Sequence, residues 1–439
     1  MTLATPTRPA SRRVQITQAR QSIWARIDWL LILSAAALAG LGTLLVWSAT
    51  TSNDSLTGGE PNAYAVRHLV NMGIGAVLAF VVAATDYRWV RIWTPVVYIG
   101  SIVGLGLVFV PGVGASINGS RSWVDVGGLS LQPAEFAKLA VIVSMALVVA
   151  EKAEGRRTSA ATRPSPRAWS STSAGRSASS PARARSASSS LRDLDVVLLL
   201  SIAAVPALLI LLQPDLGTLL VLSATVFGAL ALAGAPRRWL LGLVAGVVVL
   251  AVAAVRLGVL ASYQVDRFLA YTNPMLDPLG AGYNTTQARI AIGNGGLLGQ
   301  GLFGGSQTQS GFVPEQHTDF VFTVAGEELG LVGATAVIAL YALLLWRALR
   351  IAREAEDIFG RLAAGGIVCW FGFQAFQNIG MCLGIMPVTG VPLPLVSYGG
   401  TSMFVTLMAI GLLQNIHLRT DHPLGLGGVV RSRVARSRF

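Results

Sequence analysis

The sequence predicts an all-α integral membrane protein of about ten transmembrane helices, with a large extracellular loop between the seventh and eighth. Three observations predict it. Hydrophobic residues make up 53% of the chain and charged residues only 12%, against about 25% charged in soluble domains. Apolar runs able to cross a ~30 Å hydrocarbon core recur along the whole length. Arginine gathers in the two tails, one mid-chain stretch and alternate short loops, which is the pattern of the positive-inside rule. That distribution accounts for the net charge of +12 without nucleic acid as a partner. The two cysteines, Cys369 and Cys382, share one apolar segment and suggest neither a disulfide framework nor a metal site.

Taken in order, the spans fall at about 28–49, 68–85, 93–110, 133–150, 194–212, 216–234, 239–257, 320–346, 362–385 and 400–417. The tail 1–27 carries Arg12, Arg13, Arg20 and Arg26 and is expected in the cytoplasm. Alternation places Arg88 and Arg91, residues 151–193, Arg237 and Arg238, and residues 347–361 on the same side, with the C-terminal tail 419–439. Residues 50–67, 111–132, 258–319 and 386–399 then lie outside. The membrane domain is 28–418. No cleavable signal peptide is expected, because the first apolar run is long and lacks a small-residue cleavage site.

The stretch 156–192 is rich in Ser, Ala, Arg and Pro and poor in large apolar residues. With its flanks it reads as a disordered cytoplasmic linker, 151–193, with contact to anionic lipid as a second reading. The loop 258–319 is long and glycine-rich, and long ordered loops are usually functional. The segment "MPVTGVPLPLVSYGG" is apolar, yet Pro387, Pro392 and Pro394 forbid a regular helix. Irregular apolar backbone at the membrane must pack on protein or line a cavity.

Ionisable residues at the outer ends of the spans carry the functional signal. Lys138 precedes Glu151 by 13 residues, about 20 Å of helix, which sets it roughly 10 Å below the outer surface. A charge there costs about 3 kcal/mol. Glu135, at i−3, offers a partner, and snorkelling to the outer headgroups is the other reading. Asp319 stands at the outer end of the eighth span. An aspartate and a submerged lysine from two spans thus converge on one face, either as a structural ion pair or as a base in an outward cavity with cationic neighbours. Trp123 reads as an interfacial anchor, and Arg121 beside it suits a lipid phosphate. His317 has no HExxH or paired-Cys spacing, so a protein-built zinc site is not expected. Glu327 and Glu328 are adjacent, so at most one faces a cavity. No P-loop, GxSxG or Rossmann fingerprint occurs. An enzyme on an outer-leaflet lipid substrate and a transporter both fit.

"GFVPEQHTDFVFTVAGEELGLVG", "GSRSW…LQPAEFAKLA", "QPDLGT", "DPLGAGYNTTQARIAIGNGGLLGQG" and "MPVTGVPLPLVSYGGTSM" together resemble the SEDS family (shape, elongation, division and sporulation). Its members are ten-helix bacterial peptidoglycan glycosyltransferases. The resemblance runs in order from about 28 to 418. It implies that Asp319 is the essential aspartate and that Glu135 and Lys138 are the paired residues of the "QPxExxK" motif. Trp123 matches the loop tryptophan. Arg121, Gln287, Arg289, Glu315, His317 and Ser397 lie in the same motifs as supporting or substrate-binding residues. It further implies lipid II as substrate, a class B penicillin-binding protein and other elongation or division proteins as partners, and a divalent cation (Mg or Mn) with no organic cofactor. The place would be the bacterial cytoplasmic membrane, among membrane lipids, with both termini cytoplasmic. Asp319 would take the acceptor's proton, and a metal ion with Lys138, Arg121 or Arg289 would offset the diphosphate charge. Lys138 instead setting the pKa of Asp319 is the alternative. "PVTGVPLPLVSYGG" is closer to the elongation branch than to the division branch. A lipid flippase is the competing class, and it predicts charges nearer the midplane.

Overall fold

In hydrocarbon every backbone polar group must be satisfied within the chain, so the apolar runs close into helices. The computed structural model describes residues 26–117, 120–126, 129–162, 191–257 and 280–420. Its elements are α1 (Trp29–Thr51), α2 (Asp54–Thr57), α3 (Ala63–Ala84), α4 (Tyr87–Leu107), β1 (Gly114–Ile117), β2 (Ser120–Val126), β3 (Leu129–Leu131) and α5 (Pro133–Thr162). There follow α6 (Asp193–Leu212), α7 (Leu216–Leu232), α8 (Arg237–Arg256), α9 (Ala281–Asn294), α10 (Ser306–Gln309), α11 (Val321–Glu328), α12 (Gly330–Glu354), α13 (Ile358–Leu383) and α14 (Gly400–Thr420). Among the described residues nine helices are long and apolar enough to span a membrane, and the shorter apolar α7 makes the tenth.

Aspartates start several of these helices. Asp28, Asp86, Asp215 and Asp357 each accept a backbone N–H of the first turn. The core lies along α5, α13 and α14, whereas α8 buries no residue and shows its apolar sides outward, as a lipid-facing helix does. Small residues let backbones meet: a Cβ on Gly217 would fall 2.4 Å from the Thr389 carbonyl oxygen.

Three regions depart from the expected pattern. The loop 111–132, expected outside, holds a small antiparallel sheet in the order β1-β2-β3, with Ala115 opposite Trp123 and Val124 opposite Leu131. Helix α5 continues to Thr162, so residues 151–162 of the expected linker are helical, tied down by Arg91–Glu154 and Arg156–Asp195 pairs. The rest of that linker (163–190), both tails (1–25 and 421–439) and residues 258–279 of the large loop lie outside the described residues.

The third departure is in the eighth span, which is two helices. Gly330 has φ +64, a left-handed conformation that ends α11 and starts α12. The carbonyls released at the break are taken by the large loop. Gln300 N–H donates to Glu327 O and Gly301 N–H to Glu328 O, both at 3.0 Å. The loop in turn accepts from α12: Leu331 N–H reaches Gly296 O at 2.9 Å and Val332 N–H reaches Leu297 O at 3.2 Å. The large loop is therefore clamped on the helix break, and its apolar piece Ala288–Ile292 belongs to α9.

Candidate active site

A cavity of about 470 Å³ opens where the N-terminal ends of α5, α7, α11 and α14 meet the sheet, α9 and the segment 384–399. Its charged lining residues are Asp215, Glu315 and Asp319, and no lysine or arginine lines it among the described residues.

The turn 315–320 presents Asp319. Glu315 sits in the left-handed region (φ 48). Its carbonyl accepts from Thr318, Asp319 and Phe320 N–H at 3.2, 3.0 and 3.2 Å. Three backbone donors on one oxygen, with the Thr318 hydroxyl as a fourth at 3.1 Å, tighten the turn. On the other side, Asn378 Nδ2 of α13 donates to Asp319 O and to Val391 O, at 2.7 Å each. One amide thus joins the aspartate's turn to the segment 384–399. Gly390 in that segment has φ +68, and a Cβ there would lie 3.2 Å from Asp319 Oδ2.

Further amides of α13 hold the proline-rich segment. Gln374 Nε2 donates to Pro392 O at 2.8 Å and Gln377 Nε2 to Thr389 Oγ at 2.7 Å. Gln374, Gln377 and Asn378 are fully buried. Irregular backbone at this depth is thereby satisfied by protein, and Val388, Thr389, Gly390 and Pro392 form a cavity wall. Across from it Asp215 caps α7, accepting from Thr218 N–H at 2.9 Å, Thr218 Oγ at 2.8 Å and Gln132 Nε2 at 3.0 Å.

Of the residues singled out from the sequence, Trp123, Glu315 and Asp319 line the cavity together. His317 lies behind the wall, edge-on to Tyr64 at 5.1 Å and near the cavity residue Tyr398 at 5.8 Å. Burial pushes its imidazole below the ordinary value, and the Glu315 carboxylate pulls the other way.

The others stand away from the cavity. Lys138 is fully buried, donates to Glu135 Oε1 at 2.7 Å and Gln374 Oε1 at 2.9 Å, and lies 5.1 Å from the Trp370 ring centre. It braces α5 against α13 and touches the cavity wall only through Gln374. The expected cationic neighbour of Asp319 is thus absent from the described lining, because this lysine is consumed by partners inside the bundle. Arg121 turns back, its Nη2 donating to Val110 O at 3.4 Å. Arg289 is exposed on α9, with its stem against Gly384. Gln287, on the same helix, is not in the lining, although Asn284 one turn earlier is. Ser397 Oγ accepts from Leu393 N–H at 2.8 Å and closes a turn. Glu327 and Glu328 are both buried, and neither faces the cavity.

Sequence reasoning passed over Asp215, Gln132, Asn284 and Tyr398. Asp215 had a signal in "QPDLGT", where an aspartate opens an apolar helix. The others are neutral polar residues whose role depends on packing.

Residues 28–422 match the family model for FtsW, RodA and SpoVE, described as cell cycle protein. The chain belongs to this family. Stage V sporulation protein E of Bacillus subtilis is 36% identical over 89% of this chain and 96% of its own length. Peptidoglycan glycosyltransferase MrdB of Escherichia coli K12 is 35% identical over 91% and 96%. Among solved structures, a chain from a peptidoglycan synthase complex that coordinates polymerization and crosslinking superposes with TM-score 0.67, at 32% identity over 89% of this chain and 97% of that one. RodA of Thermus thermophilus superposes with TM-score 0.60, at 30% identity over 90% and 98%. The family's shared length covers the ten helices, the large loop and the cavity between them.

Proposed function

We infer that the protein is a peptidoglycan glycosyltransferase that polymerises lipid II on the outer face of the bacterial cytoplasmic membrane. The observation that carries this reading is Asp319, held by a tight turn and by Asn378 at the wall of a cavity that opens at one end of a membrane bundle. The family membership supplies the reaction class.

The chemistry follows from the residues. Asp319 takes the proton of the acceptor sugar's 4-hydroxyl as that oxygen attacks the anomeric carbon of the donor. The bond from that carbon to the diphosphate breaks, and the lipid diphosphate leaves with its negative charge. The described cavity wall is acidic and supplies no side-chain cation for that charge. Mg²⁺ is usually held by one or two carboxylates with substrate phosphates and waters. Glu315 would hold a divalent cation together with the diphosphate and waters, and the ion would supply the positive charge there while leaving Asp319 free as the base. Trp123 offers an aromatic face to a sugar ring.

The cavity end is the outer end, because the arginine-rich loops lie at the other. A thiol reagent that cannot cross membranes should label Leu298→Cys, an exposed site of the large loop, in intact cells. It should spare Glu356→Cys between α12 and α13. The reverse pattern defeats the outer-face assignment. The elongation role rests on the segment 387–400 and on the likeness to RodA. A class B penicillin-binding protein suits it as partner, since one similar chain comes from a complex that also crosslinks. The deciding experiment gives purified protein lipid II and follows glycan chain length. No polymer from wild type, with or without that partner and with Mg²⁺ or Mn²⁺, would end this reading. A flippase would instead move lipid II across vesicles without polymer.

A further inference from the structure

The cavity accounts for neither of the glutamates in "GEELG", yet Glu327 is among the best-satisfied carboxylates of the molecule. It is completely buried. Its Oε1 accepts from Gln307 N–H at 2.7 Å and Ser306 Oγ at 3.3 Å, and its Oε2 from Thr308 N–H at 2.9 Å and Thr308 Oγ at 2.7 Å. A buried carboxylate is expensive unless its oxygens are hydrogen-bonded, and here all four bonds go to one turn of the large loop. Glu328 repeats the theme on the other side. It accepts from Ser48 Oγ of α1 at 2.6 Å and from Gln309 Nε2 at 3.3 Å.

The contacts continue toward the cavity. Gln316 Nε2 donates to Thr308 Oγ at 3.0 Å and to Thr323 Oγ at 3.2 Å, and Thr323 Oγ donates to Phe320 O at 2.6 Å. Thr308, Gln316 and Thr323 are buried. The Thr308 hydroxyl is saturated in the right sense, giving its proton to Glu327 and accepting from Gln316. A hydrogen-bonded chain therefore runs Glu327–Thr308–Gln316–Thr323 and brackets the turn 315–320 that carries Asp319.

We propose that Glu327 is a positioning residue for Asp319: through Thr308 and Gln316 it fixes the turn 315–320 against α11 and so sets where the aspartate's carboxylate stands in the cavity. This rests on the reading of Asp319 as the base. Buried charge is weak evidence for stability and is better used to fix one arrangement among several. A base must stand within hydrogen-bond reach of its proton, and a displacement of an ångström is expensive in rate. Glutamine cannot replace Glu327, because only one of its two end atoms accepts while backbone and hydroxyl donors approach both.

The test compares purified wild type with Glu327→Gln and Thr308→Val on lipid II, and reads backbone hydrogen exchange over residues 306–319 in the same samples. Glu327→Gln should lower kcat by ~10-fold or more with KM within about twofold, the pattern of lost transition-state geometry. Thr308→Val, which keeps the carboxylate and its backbone partners, should lower kcat in the same sense. The double variant should be little worse than Glu327→Gln alone, since both act on one chain. Exchange should quicken in 306–319 while α5 and α13 stay protected. A rise in KM at unchanged kcat, a fall in rate that only tracks the loss of folded protein, additive effects, or unaltered exchange would each overturn the proposal. The exchange readout needs no turnover, so it fails or succeeds separately from the polymerase reading, which Asp319→Asn tests.

Discussion

The two ends of the bundle treat charge in opposite ways. At the end away from the cavity, carboxylates meet guanidinium or ammonium groups: Asp28 with Arg347, Asp86 with Arg419, Glu154 with Arg91, Asp195 with Arg156 and Lys152, and Asp193 with Arg238. At the cavity end, Asp215, Glu315 and Asp319 line one space with no lysine or arginine in its described wall, and an ion pair of that half, Lys138–Glu135, is sealed inside the bundle. Amides and hydroxyls hold the Asp215 and Glu315 carboxylates there, and Asn378 holds the turn of Asp319 by its backbone carbonyl. Amide and hydroxyl partners fix a carboxylate's place without neutralising it. A base needs that freedom to accept a proton, whereas a brace between helices is best neutralised.

The comparison breaks most sharply at Asp319. Asp319→Asn keeps the shape and removes the proposed base, so polymer formation should fall by ~10²-fold or more while the protein elutes and melts as wild type does. Near-normal polymerisation by the purified variant would turn the cavity end into another structural end.

Lys138 comes next. Lys138→Met leaves Glu135 buried without its cation and should cost about 3–5 kcal/mol of stability, read as melting in detergent. Adding Glu135→Gln removes the stranded charge and should restore most of both stability and polymerisation. If stability returns and activity does not, the lysine acts on the reaction and is more than a brace.

At the far end Asp28 is nearly inaccessible, caps α1 through Leu31 N–H and pairs with Arg347. Asp28→Ala should lose about 1–2 kcal/mol, mostly the cap, with polymerisation per folded molecule unchanged. A loss of turnover without unfolding would mean that the two ends are coupled.

The smallest effect concerns His317, packed between Tyr64 and Tyr398 and close to Glu315. Its folded pKa lies below the ordinary 6.5, chiefly through burial. The unfolded chain then binds the proton more readily, so stability is lost as pH falls from 6.5 through the lowered value. The melting temperature of His317→Phe should vary less than wild type's between about pH 8 and pH 5. Parallel curves would remove this histidine from the acid response.

Much of this is legible in the sequence. The apolar runs dictate the helices, because in hydrocarbon each run must satisfy its own backbone, and a helix does so. The sequence also singles out Asp319, since a carboxylate at the edge of such a run is expensive enough to need a reason, and it offers Lys138 its i−3 partner. What the packing adds is that Lys138 donates a second hydrogen bond to Gln374 across the bundle, 236 positions away in sequence, and so stays out of the cavity. It also sets the break of the eighth span at Gly330, where the loop's N–H groups donate to two stray carbonyls. The same holds for Gln132, Asn284, Gln377 and Asn378. Neutral side chains carry no local sign of where they point, and only their neighbours in space turn them into the frame around Asp319.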